Sequence, residues 1–151
     1  MKKIFFSLLL IFVIIFCAVF FLVKEKQKIL PGPYLTINNT KINLAIADTP
    51  AEQAQGLSHQ KELDKNTGML FVFLKKQVLS FWMKDMNFPL DIIWINDNKI
   101  VKIDKNLPPE GEKPKKIYSS EALIDHVLEV GAGYCDEKNI KVGDEVKYFL
   151  N

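Results

Sequence analysis

From residue 4 to residue 23 the chain reads IFFSLLLIFVIIFCAVFFLV, twenty residues without a charge, and this run decides how much of the sequence is left to fold in water. As a helix rising about 1.5 Å per residue it spans about 30 Å, the thickness of a bilayer's hydrocarbon core. It exceeds the usual apolar core of a cleaved signal, about 7 to 15 residues, and no small-residue A-x-A pattern follows it. The run therefore predicts an uncleaved membrane anchor, with a long signal sequence as the alternative. Residues 1–3 form a basic N-terminus, 24–33 a linker through ILPGPY, and 34–151 the folding unit. In the linker, Pro31 and Pro33 fix extended backbone, and for the unit beyond it a single modest domain is the natural outcome.

Lys2 and Lys3 precede the apolar run, and Lys24, Lys26 and Lys28 follow it. The lysine bias that sets topology nearly cancels. A basic pair leading straight into an apolar run resembles an export signal. The expected location is thus the cell membrane, single-pass, with the domain extracytoplasmic, or secreted if the segment is cleaved. The partner expectations follow: the membrane through residues 4–23, and a small molecule or envelope protein at the domain. Beyond residue 33 there are fifteen lysines against seventeen acids, and the chain holds no arginine. That balance argues against nucleic-acid binding, which calls for a basic patch, and removes the guanidinium fork that clamps phosphates and carboxylates. Cys135 is the single cysteine outside the apolar run, so the domain has no internal disulfide and holds together by burial.

Period-two alternation of Ile42, Leu44 and Ile46 against Lys41, Asn43 and Ala45 marks a half-buried strand, joined to YLTI by an Asn-rich turn. TPAEQAQGL has the parts of a short helix: Thr49 as cap, Pro50 at the first position, Glu52 completing a capping box, and Gly56 at the exit. GMLFVFL (68–74), SFWMK (80–84), LDIIWI (90–95) and KIVKID (99–104) are rich in β-branched and aromatic residues and read as strands, the last two linked by the turn NDN. The loop NLPPEGEKPKK (106–116), with its prolines and charges, reads as a mobile connection. HVLEV and EVKYFL supply the closing strands. The fold class is mainly β: a small single-domain sandwich or barrel with one or two short helices, preceded by an N-terminal transmembrane helix.

The strings GLSHQKELDKNTGMLFVF, FWMKDMNFPLDIIWI and HVLEVGAG resemble the domain-of-unknown-function 192 family over nearly all of residues 37–150. The matching positions include Gly56, Leu57, Gly68, Met69, Phe81 to Lys84, Pro89 to Asp91, Leu128, Glu129 and Gly133; Ser58, Gln60 and the pair Asp85-Met86 depart from the family's pattern. The resemblance implies a compact mainly-β domain, often secreted or membrane-anchored, with no established biochemical activity.

An acid among bulky apolar neighbours, as Asp91 is in FPLDIIWI, must be engaged by a partner, because an unpaired buried charge costs several kcal/mol. If strands 80–84 and 90–95 form a hairpin across DMNFP, Lys84 and Asp91 meet at its mouth. With Glu129 they would frame a ligand pocket walled by Phe81, Trp82 and Trp94, to which Met69 and Met83 are added as candidate lining. The plainer expectation is that Asp91 and Glu129 accept loop amides and Lys84 merely neutralises them. Two other readings compete: a carboxylate-based hydrolase using Asp91 and Glu129, and a soft-metal (copper) site drawn from Met69, Met83, Met86, His59, His126 and Cys135. No CxxC, HxxxH, G-x-S-x-G or glycine-rich phosphate loop is present, so neither a metal nor another cofactor is expected and enzyme activity is not indicated.

Overall fold

The computed structural model describes residues 32–150. The expected anchor at 4–23 and most of the linker lie outside the described residues, among which no helix is long and apolar enough to cross a membrane. The elements run β1 (Tyr34–Ile37), β2 (Thr40–Ala47), α1 (Pro50–Gln55), β3 (Thr67–Gln77), β4 (Ser80–Phe81), β5 (Leu90–Asn96), β6 (Lys99–Leu107), β7 (Tyr118–Ser119), β8 (Ile124–Gly131), α2 (Tyr134–Glu137) and β9 (Val146–Phe149). The mainly-β expectation with two short helices holds.

Seven strands form one curled sheet, a half-barrel in the order β6-β5-β8-β3-β2-β1-β9, and β4 and β7 make a separate two-stranded ribbon. The edge strands meet at one end, where Val146 N–H donates to Asn98 (2.8 Å) and Gly143 N–H to Ile100 (2.8 Å). Left-handed Gly143 (φ 95°) makes the turn into β9. Hairpins β1–β2 and β5–β6 appear where the Asn-rich turns place them, Asn38 and Asp97 having positive φ. All neighbours in the large sheet are antiparallel except β2 and β3, which are parallel and so need a crossover. The chain supplies it through α1 and residues 56–66.

Local chemistry settles α1. Thr49 Oγ1 accepts the Glu52 amide (3.3 Å) while Glu52 Oε2 accepts the Thr49 amide (3.0 Å), completing the capping box, with Pro50 at the helix start. No residue of α1 is buried. Gln53 holds the helix to the sheet, donating from Nε2 to the Val72 (2.8 Å) and Ala47 (3.3 Å) carbonyls.

Two apolar clusters occupy opposite faces of the sheet. Inside the curl lie Leu35, Ile42, Leu70, Ile93, Leu128 and Val130, among others. On the outer face lie Met69, Phe71, Ile92, Trp94 and Val127, covered by connecting loops that bring Leu57, Met83 and Met86. Strand alternation explains the division: in β3, β5 and β8, successive residues point to opposite faces, and both faces are buried.

At Gly68 the backbone of β3 lies tight against β8. A Cβ there would sit 2.7 Å from the Glu129 carbonyl oxygen and 3.0 Å from Leu128 Cδ1, and a backbone oxygen paired in a ladder cannot move aside. Gly68→Ala is therefore expected to lose about 2 kcal/mol in urea unfolding, within the usual range for overpacking. A variant as stable as the parent would show that the strands can separate without penalty.

The expected hairpin between 80–84 and 90–95 does not form. Phe81 pairs with Tyr118 and Ser80 with Ser119 in the β4–β7 ribbon, while β5 lies between β6 and β8. Met83 and Met86 turn into the outer cluster, left-handed Asp85 (φ 53°) bends the backbone, and Pro89 has no N–H for a ladder. The proline-rich loop is tied down at its middle: Asp85 N–H donates to Gly111 (2.9 Å) and Glu110 N–H to Met83 (3.0 Å).

Candidate functional site

Asp91 is fully buried, and its position explains why an acid stands in an apolar strand. Register pairs Asp91 with Val130 and Ile92 with Glu129, so Asp91 faces the inside of the curl and Glu129 the outer face. Asp91 Oδ1 accepts the amides of Asn106 (2.8 Å) and Gly133 (3.2 Å), and Oδ2 accepts that of Cys135 (2.9 Å). Two of these donors open α2, whose first amides have no partner within the helix. The carboxylate thus ties β5 to β6 and to the start of α2, which is the plainer expectation for this residue. Lys84 is not its partner: it is exposed and lies 3.8 Å from Asp85.

Glu129 differs from Asp91 in every respect except burial. It is 5% exposed, and its Oε2 has no hydrogen-bond partner among the described residues. Register places it between Met69 of β3 and Ile92 of β5. Above it passes the exit from α1, where Gly56 (φ 53°, ψ −136°) takes a conformation reserved for glycine. A Cβ at Gly56 would stand 3.3 Å from the Phe71 ring and 3.9 Å from Glu129 Oε2. Burial alone pushes the Glu129 carboxyl up to about 8; nothing charged offsets it.

This carboxyl lines a partly open pocket of about 280 Å³. Its walls are Gln53 to Ser58 on one side, Phe71 and Phe73 of β3 as floor, and Leu79 to Trp82 with Met86 on the other. Phe71 and Phe81 meet edge to face with centroids 4.8 Å apart, fixing one corner. Trp82 is half exposed at the rim. Trp94, expected as a wall, is instead fully buried beneath Phe81 (5.5 Å between centroids), with its indole N–H donated to Asp104 (2.7 Å). Met69 and Met83 are buried in the outer cluster without reaching the pocket surface.

Of the residues singled out from sequence, Glu129 and Trp82 therefore share a pocket, while Asp91, Lys84, Met69 and Met83 do not line it. Gly56, Phe71, Phe73 and Leu79 were missed. Phe71 and Phe73 share the alternation of Met69 in GMLFVF, so the common face was there to be read. Having opposite orientations, Asp91 and Glu129 cannot flank one bond, which removes the geometry of a two-carboxylate hydrolase. The soft donors are also separated: the three methionines lie in the outer cluster, Cys135 inside the curl, and His126 stacks on Tyr148 (4.7 Å). Among the described residues no group of three or more His, Cys, Asp or Glu is gathered as for a metal. Burial, with Asp91 alongside, pushes the Cys135 thiol well above its ordinary range, which suits packing rather than nucleophilic attack.

Residues 34–148 match the family model of the domain of unknown function 192, described as Uncharacterized ACR. Among solved structures, the chain is similar to a protein of unknown function from Novosphingobium aromaticivorans, with 32% identity and a TM-score of 0.69 over 76% of this chain and 83% of that one. It is also similar to a candidate transcription regulator from Sinorhizobium meliloti, with 27% identity and a TM-score of 0.70 over 77% and 91% of the two chains. No curated protein matches it.

Proposed function

Because the chain belongs to the domain-of-unknown-function 192 family, whose members share a fold rather than a known reaction, we propose a function from the pocket itself: a membrane-tethered, extracytoplasmic domain that binds a small ligand between α1 and the β4 ribbon. The observation that carries this reading is the buried, unpartnered Glu129 Oε2. Native interiors leave few polar atoms unsatisfied, because each costs about 1 to 3 kcal/mol. An unsatisfied acid beside an aromatic-walled hollow is what a site awaiting its ligand contains. Tethering rests on the uncharged run at 4–23, and secretion after cleavage would leave the ligand-binding reading intact. A gene-regulatory role has less behind it, since residues 34–151 carry a net charge of minus two without arginine.

Ala54 is an exposed helical residue at the pocket wall, so Ala54→Trp can fill the hollow with little effect on the fold. In ligand-observed NMR against a fragment library of amines, alcohols and small aromatics, at least one saturable binder is expected for the parent chain. It should be lost in Ala54→Trp at unchanged melting temperature. A library without binders, or binders indifferent to Ala54→Trp, would defeat the proposal.

A further inference from the structure

The pocket walls contain no lysine and no histidine; Glu129 is the single ionisable side chain among them. α1 and its exit present Gln53, Ala54, Gln55, Gly56, Leu57 and Ser58 to it, β3 presents Phe71 and Phe73, and the β4 segment presents Leu79, Ser80, Phe81, Trp82 and Met86. The ion pair Lys84–Asp85, the helix acid Glu52 and His59 all stand outside the lining. Glu129 therefore meets no titratable or charged group from any element packed over it. An anion would find no counter-charge there and would face an acid. A neutral apolar molecule would fill the hollow but leave Oε2 unpaired.

We infer that the pocket takes an alkylammonium cation, its charged head held among Phe71, Phe73, Phe81 and Trp82 and paired with the Glu129 carboxylate. The inference rests on the ligand-binding reading above and names the chemistry of that ligand. Aromatic faces attract cations through their quadrupole, most strongly where water is displaced, and quaternary ammonium groups are the usual guests of such boxes. A buried carboxylate adds the counter-charge that aromatic rings lack. The space of about 280 Å³ lies near the small end of ligand pockets and suits a compact head rather than a large body.

Proton linkage gives the inference a signature. With its carboxyl at about 8 in the empty pocket, Glu129 holds a proton at pH 7 and must release it to solvent when a cation binds. Affinity should then rise about tenfold per pH unit from pH 6 to 8 and level off above.

The test titrates the full-length protein, in a maltoside micelle, with choline chloride and with its neutral carbon isostere 3,3-dimethylbutan-1-ol, following tryptophan fluorescence at pH 6 and pH 9 in a Trp94→Phe background that leaves Trp82 as the reporter. Choline is expected to bind at least tenfold tighter than the isostere at pH 9. That preference should shrink at pH 6, and in Glu129→Gln it should fall at least several-fold and lose its pH dependence, the remainder being the attraction of the rings. Equal affinity for the two probes in the parent chain would overturn the cation assignment while sparing the pocket. Failure of both probes together with failure of the fragment library would remove the pocket reading as well. A further arm with glycerophosphocholine tells the sources apart: binding comparable to choline makes a lipid headgroup the source of the cation, and binding of choline alone makes it a free soluble one.

Discussion

Glu129→Gln is expected to make the protein more stable at pH 8, and to abolish a decline in stability that the parent chain shows as pH rises from about 5. In the unfolded chain the Glu129 carboxyl titrates near 4.5; in the folded protein burial carries it to about 8. Between those values the folded state keeps a proton that the unfolded state has given up. Stability therefore falls with rising pH, by about 1.4 kcal/mol per unit, and flattens above 8. Across the whole interval the loss reaches up to about 5 kcal/mol, and glutamine, which carries no charge at any pH, is spared it. Urea unfolding of both proteins from pH 5 to 9 measures the effect. Parallel pH profiles would show that Glu129 is not the group responsible, and would withdraw the unpaired acid on which the ligand reading depends.

Asp91→Ala is expected to be among the most damaging single changes in the domain, and for a reason unrelated to ligands. It strands the amides of Asn106, Gly133 and Cys135 without acceptors in a dry interior. At about 1 to 3 kcal/mol for each orphaned donor the loss is about 4 kcal/mol or more, a large part of the 5 to 15 kcal/mol that holds an ordinary domain folded. Asp91→Asn keeps one oxygen and turns an amide group towards a donor, so its loss should be smaller but plain. Once folded, Asp91→Asn should bind fragments as the parent does, because residue 91 faces away from the pocket. A melting temperature unchanged in Asp91→Ala, or pocket binding lost in folded Asp91→Asn, would contradict this division of labour.

What could be read from sequence was what local chemistry decides. The capping box around Thr49 and Glu52, the Asn-rich turns of the β1–β2 and β5–β6 hairpins, and the alternation of β2 need no knowledge of distant residues, and they appear as expected. The parallel pairing of β2 with β3 and the diversion of Phe81 to Tyr118 depend on which chain segments find each other across long separations, and no spacing announces that. The two acids show the same limit at the scale of a site. In LDIIWI both faces of the strand are apolar, so nothing in the run tells which face is inward, and a carboxylate on either looks equally stranded. Only the pairing of Ile92 with Glu129 and Asp91 with Val130 reveals that one acid faces main-chain amides and the other faces a hollow.

Tyr34, at the first strand, and Phe149, at the last, are cross-strand partners whose rings stack at 4.5 Å, and this has a bearing on how the domain comes into being. A chain synthesised from its N-terminus has to carry β1 with one flank bare for more than a hundred residues of synthesis. Contacts this far apart in sequence are slow to form, and strands left open meanwhile are prone to pair with the wrong neighbour. The half-barrel is thus completed on this side only by β9, and until residues 146–149 emerge the nascent domain depends on whatever shields its unfinished edge.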